Sequence, residues 1–63
     1  MGYKIKELRE EKNMSQEQLA LKSNVSRTII SGLENGRITV TTTETLLKIA
    51  KALEIKVSDI FFD

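Results

Sequence analysis

The sequence predicts an all-α fold of five short helices. Three observations carry that prediction. Apolar residues recur at helical spacing, most cleanly at Leu46, Ile49, Ala50 and Leu53, which stand at i, i+3, i+4 and i+7. Helix-starting residues punctuate the chain: Ser15 with Gln18 three positions on, Ser26, and Thr41 with Glu44 three positions on. No strand pattern is present, and no proline, repeat or low-complexity linker breaks the run.

Each element has a local reason. Helix 1 is expected from Tyr3 to Lys12, with Ile5 and Leu8 inward and Asn13 ending it. Ser15 caps helix 2, Gln18 completes a capping box, and Leu19 and Ala20 face inward, Ala being small enough to let another helix pass close by. Asn24 stands where the chain must reverse; after Gly, Asn best tolerates the left-handed conformation. Val25 plugs the corner and Ser26 caps helix 3. Ile30 and Leu33 give helix 3 its buried stripe, and Gly36 ends it with the positive φ that helix C-termini often use. Arg37 to Thr41 is a loop with Val40 expected inward; Thr41 and Glu44 are expected to open helix 4. A short fifth helix is expected around Val57 to Phe61. Helices 2 and 3, joined by a tight turn, form a helix-turn-helix.

The outward face of helix 3 is informative. Stepping about 100° per residue, the direction opposite Ile30 and Leu33 holds Thr28, Ser31, Gly32 and Asn35, with Arg27 and Ile29 on the flanks. Such residues are poor helix formers, together costing roughly 2–3 kcal/mol against Ala. A merely solvated face is more cheaply built from Glu, Lys, Gln and Ala. Small hydrogen-bonding groups beside an arginine suit a helix lying close against a polar surface such as the DNA major groove.

These residues carry a resemblance. The runs Ser15-Gln16-Glu17-Gln18-Leu19-Ala20, Asn24-Val25-Ser26-Arg27-Thr28 and Ile30-Ser31-Gly32-Leu33-Glu34-Asn35-Gly36 resemble the Cro/C1-type helix-turn-helix family, which includes the lambda-type phage repressors and xenobiotic-response-element-like regulators. The likeness extends upstream through Ile5-Lys6-Glu7-Leu8-Arg9-Glu10, and downstream from Leu46 to Leu53 and from Val57 to Phe61. It implies a compact five-helix lambda-repressor-like DNA-binding domain spanning residues 1–63. Two features depart from the family pattern: Asn24 replaces the usual turn glycine, and the loop from Ile38 to Thr43 is rich in Thr.

Composition narrows the function. Sixty-three residues suit one small domain. With no Cys and no His, disulfides, thiol–metal sites and zinc sites are not expected. Neither a membrane-spanning apolar run nor a signal-peptide pattern is present, so the chain reads as cytoplasmic. A net charge of +1 is a weak electrostatic footprint for nucleic acid, although Arg27 and Arg37 stand at the two ends of helix 3. No phosphate-cradling glycine motif occurs, and Glu10 and Glu11 point to different sides of a helix. No catalytic residue and no cofactor are expected.

Candidate contacts follow. Arg27 is the leading base reader, because its fork can donate two hydrogen bonds to guanine O6 and N7; Thr28 and Ser31 join it on the outward face. Gly32 has no side chain to read with, so its expected use is clearance for a backbone or a phosphate. Ile29 either touches a thymine methyl or is half-buried against helix 2. At Ser15 and Gln16, helix initiation and phosphate contact are compatible, since the exposed N–H groups of a helix start favour an anion; for Gln16 the resemblance implies a phosphate contact or packing against side chains of helix 3. Asn35 and Arg37 match the family's phosphate-contacting positions. Thr39, with Thr41 and Thr42, either adds backbone contacts or serves only as capping and loop chemistry. The resemblance also implies an ion pair between Arg9 and Glu34 that sets the angle of helix 3. Phe61 and Phe62 cannot easily both be buried, so Ile60, Phe61 and Phe62 form a candidate dimer interface, as C-terminal helices do in similar proteins.

The resulting expectation is a sequence-specific regulator binding double-stranded DNA as a homodimer, most simply a repressor. The rival is a protein-interaction module, such as an antitoxin whose main contact is a toxin.

Overall fold

The computed structural model describes residues 3–61. Its order is α1 (Ile5–Glu11), α2 (Gln16–Ser23), α3 (Arg27–Asn35), α4 (Thr43–Leu53) and a closing 3-10 helix (Val57–Ile60). The class is all-α; among the described residues the only extended pairing is a single antiparallel bridge between Tyr3 and Phe61. That bridge explains why α1 starts two residues later than its sequence suggests. Tyr3 is engaged with the C-terminus, and the Lys4 N–H donates to the Ile60 carbonyl. Lys12 and Asn13 close the last turn tightly onto the Arg9 and Glu10 carbonyls, and Asn13 turns out at φ 56°.

The helix-turn-helix follows local chemistry closely. Ser15 Oγ accepts from the Gln18 N–H at 3.0 Å and Gln18 Oε1 accepts from the Ser15 N–H at 2.8 Å, a complete capping box. Asn24 adopts φ 61°, Ser26 Oγ accepts from the Ile29 N–H at 3.2 Å, and Gly36 turns out of α3 at φ 87°. Val25 is buried at the corner, where its N–H donates to Ser23 Oγ at 3.3 Å.

Seven large aliphatic side chains are fully buried: Ile5, Leu19, Ile30, Leu33, Ile49, Leu53 and Ile60. Burying each stabilises the fold by about 1.5–3 kcal/mol. Every described helix contributes at least one. α2 packs on both α3 and α4, α1 packs on α3, and the 3-10 helix closes the end of α4.

Four expectations need correction. The cap of α4 is Thr42, not Thr41 with Glu44: Thr42 Oγ1 accepts from the Thr45 N–H at 3.2 Å. Successive threonines offer the same cap chemistry, and the helix register set by Leu46 and Ile49 chooses among them. Val40 is not inward but 87% exposed, and Ile38 packs on the core instead. Gly32 is buried rather than outward, and the space it leaves is filled by Ile38. Ile60 cannot face a partner, because it is wholly enclosed by its own chain. Phe61 remains 44% exposed, whereas Phe62 lies outside the described residues.

Candidate nucleic-acid interface

α3 is held by charge as well as by apolar packing. Arg9, buried on α1, donates from Nε to Glu34 Oε2 at 2.8 Å and from Nη2 to Glu34 Oε1 at 3.1 Å. Its third donor, Nη1, reaches the Met14 carbonyl at 2.7 Å. One guanidinium therefore ties α1 to the last turn of α3 and to the segment that starts α2. Both side chains are largely sealed from water, 11% exposed for Arg9 and 4% for Glu34. Donating hydrogen bonds to the Glu34 carboxylate raises the Arg9 guanidinium above its already high ordinary pKa, against the opposing effect of burial. The guanidinium therefore keeps its charge up to strong alkali.

The same carboxylate organises Gln16. Gln16 Nε2 donates to Glu34 Oε1 at 3.0 Å, and Arg27 Nε approaches Gln16 Oε1 at 3.5 Å, a long and weak contact. Gln16 is thus packed against α3 side chains, one of the two roles the resemblance implied for it. An open depression of about 390 Å³ lies here, lined by Lys6, Arg9, Gln16, Ser31, Glu34 and Asn35. Lys6 was not singled out in the sequence, although its spacing three residues before Arg9 places it on the same helix face.

Arg27 and Thr28 are exposed in the first turn of α3, and Ser31 is half-buried one turn further on. Asn35 and Arg37 are exposed where α3 ends; Asn35 Oδ1 accepts from the Arg37 N–H at 2.9 Å, so that oxygen is already engaged. Thr39 is exposed in the following loop, and its carbonyl accepts from the Tyr3 hydroxyl at 2.8 Å. Ser15 is exposed beside Gln16 at the start of α2. Ile29 is half-buried against the core.

The electrostatic consequence is simple. Glu34 is the only acid on α3, and Arg9 neutralises it. Among the described residues no acid pairs with Arg27 or Arg37, which stand at either end of a helix whose outer surface is small and polar. Such a surface can approach a phosphate-walled groove and present hydrogen-bonding groups to its floor.

This fold and surface define a helix-turn-helix DNA-binding transcription regulator. The helix-turn-helix family model matches residues 5–60, and the chain belongs to the Cro/C1-type branch of that family. It is 41% identical over 63 residues to control protein C.MunI of Mycoplasma sp, covering 98% of this chain and 84% of the relative. The crystal structure of the restriction-modification controller protein C.AhdI from Aeromonas hydrophila is also similar. That match has a TM-score of 0.85 and 38% identity, covering 92% of this chain and 86% of the other. The family is one of DNA-binding regulators rather than enzymes. Among the described residues no helix is long and apolar enough to cross a membrane.

Proposed function

We propose that the chain acts as a sequence-specific transcriptional regulator, binding a pseudo-palindromic operator as a homodimer in the cytoplasm. In this reading α3 lies in the major groove. Arg27, Thr28 and Ser31 face base edges, while Ser15, Gln16, Asn35, Arg37 and Thr39 face phosphates. The observation that carries it is the small polar surface of α3, clamped by Arg9 and Glu34 and flanked by two exposed arginines. Repression by occluding the polymerase is the simplest outcome of such binding. The relatives named as control and controller proteins favour genes of a restriction-modification system as the regulated set. The polar character of the α3 surface favours DNA over the apolar groove that an antitoxin-like role would need.

Selection from a pool of randomised duplexes tests this directly. The expected product is a duplex carrying two half-sites related by a dyad, their centres about one helical turn, roughly 10 base pairs, apart. A pool that shows no enrichment after repeated rounds would overturn the reading.

A further inference from the structure

The loop that carries Arg37 and Thr39 is tethered from the far end of the chain. Tyr3 lies just ahead of α1, where its backbone bridges to Phe61 and its ring packs on the Phe61 ring, with centroids 5.7 Å apart and planes inclined at 53°. The neighbouring Lys4 N–H is bonded to the Ile60 carbonyl, and Ile60 is fully enclosed in the core. The base of the tyrosine is therefore fixed by the pairing of the two ends of the chain. Its hydroxyl crosses to the loop after α3 and donates to the Thr39 carbonyl at 2.8 Å.

That loop has few other restraints. The Ile38 N–H is bonded to the Gly32 carbonyl at 2.9 Å, and the Thr42 side chain caps α4. Between these two points Val40 projects into solvent. Among the described residues the Tyr3 hydroxyl makes the only hydrogen bond to residues 39–41. Removing it leaves residues 39–41 without a hydrogen bond to the rest of the described chain.

We infer that Tyr3 is a positioning residue for DNA binding. It holds the loop of Arg37 and Thr39 at the height where those residues meet phosphates, and it links that height to the pairing of the chain ends at Phe61. The inference rests on the proposed DNA reading. It assigns Tyr3 no contact with DNA itself.

Tyr3→Phe tests it, because the variant keeps the ring against Phe61 and deletes only the hydroxyl. Wild type and variant are titrated against a fluorescent duplex selected by the wild type and against a scrambled duplex of equal length, at several salt concentrations. NMR order parameters of the backbone at residues 39–41 and thermal melting are measured on the free proteins. The expected result is an affinity loss of about three- to tenfold on both duplexes and a salt slope shallower by up to roughly one unit per protomer. Lower backbone order parameters at residues 39–41 and an unchanged order of base preference accompany it. Equal affinity and slope in the two proteins would overturn the inference. So would a melting shift large enough to account for the whole affinity loss, since the role would then be stability alone. A wild type that selects no duplex overturns the DNA reading and this inference with it. A wild type that binds, matched by Tyr3→Phe, removes only the role of Tyr3.

Discussion

Ile38 occupies the space that a side chain on Gly32 would need. A Cβ built at position 32 would lie 2.5 Å from Ile38 Cδ1 and 2.7 Å from Cγ1, closer than such atoms come. Glycine is poor in a helix, costing about 1 kcal/mol against alanine. Here it lets the loop after α3 fold back, with Ile38 on the core and its N–H on the Gly32 carbonyl.

A substitution at this contact should therefore oppose two effects. Gly32→Ala gains helix propensity, but overpacking against Ile38 should cost about 1–3 kcal/mol. The expected net result is neutral to about 2 kcal/mol less stable by urea denaturation. Combining it with Ile38→Ala, which removes both crowding atoms at a packing cost of its own, should cost less than the two single losses added together. Strictly additive effects in the double variant would mean that the two residues do not compete for the space.

The Arg9–Glu34 pair should behave as a buried interaction rather than a surface one. Glu34→Ala leaves a guanidinium without its carboxylate in a largely dry site and should cost about 3 kcal/mol. An exposed pair would cost less than about 1 kcal/mol. The cycle of Arg9→Ala, Glu34→Ala and the double variant should give a coupling above about 1 kcal/mol. Coupling near zero would remove the pair as the device that fixes α3.

Arg27 and Arg37 should separate reading from positioning. Arg27→Ala is expected to lose about 1–3 kcal/mol on the preferred duplex and to relax preference at one base pair per half-site. Arg37→Ala should weaken all duplexes alike and lower the slope of log affinity against log salt by roughly one unit per protomer. Titrations of both variants against selected and scrambled duplexes decide it. If Arg27→Ala loses the same factor on both, Arg27 is a phosphate clamp.

Ile60 and Phe61, adjacent in sequence, should fail in different ways. Ile60 is enclosed, so Ile60→Ala should cost about 2–5 kcal/mol of folding stability whatever the protein concentration. Phe61 is 44% exposed, and Phe61→Ala should weaken self-association and also remove the ring on which Tyr3 packs. Sedimentation at micromolar concentration, free and with the selected duplex, reads the second effect. A wild-type monomer in both samples, with one protein per duplex, would sink the homodimer.

Local chemistry alone determined much of this protein. The cap and turn residues Ser15, Gln18, Asn24, Ser26 and Gly36 act within a few positions of themselves, so their roles can be read directly from the chain. The stripe of Leu46, Ile49, Ala50 and Leu53 likewise follows from helical period. The candidate site was legible to the same extent: Arg27 and Thr28 lie on the exposed surface of α3 because Ile30 and Leu33 turn inward. The tertiary structure alone decided the features set by contacts between distant elements. Whether Gly32 faces groove or core depends on where Ile38 goes, and which threonine caps α4 depends on how that helix packs. Glu54 takes the left-handed turn after α4, at φ 59°, although neither glycine nor asparagine stands there to announce it. There the Ile55 and Glu54 N–H groups bond back to the Ala50 and Lys51 carbonyls at 3.0 and 3.1 Å, satisfying the helix end despite the residue type. The burial of Ile60 and the reach of Tyr3 to Thr39 have the same origin. Both depend on bringing the two ends of the chain together, and residues that far apart in sequence interact only once the core has closed around them.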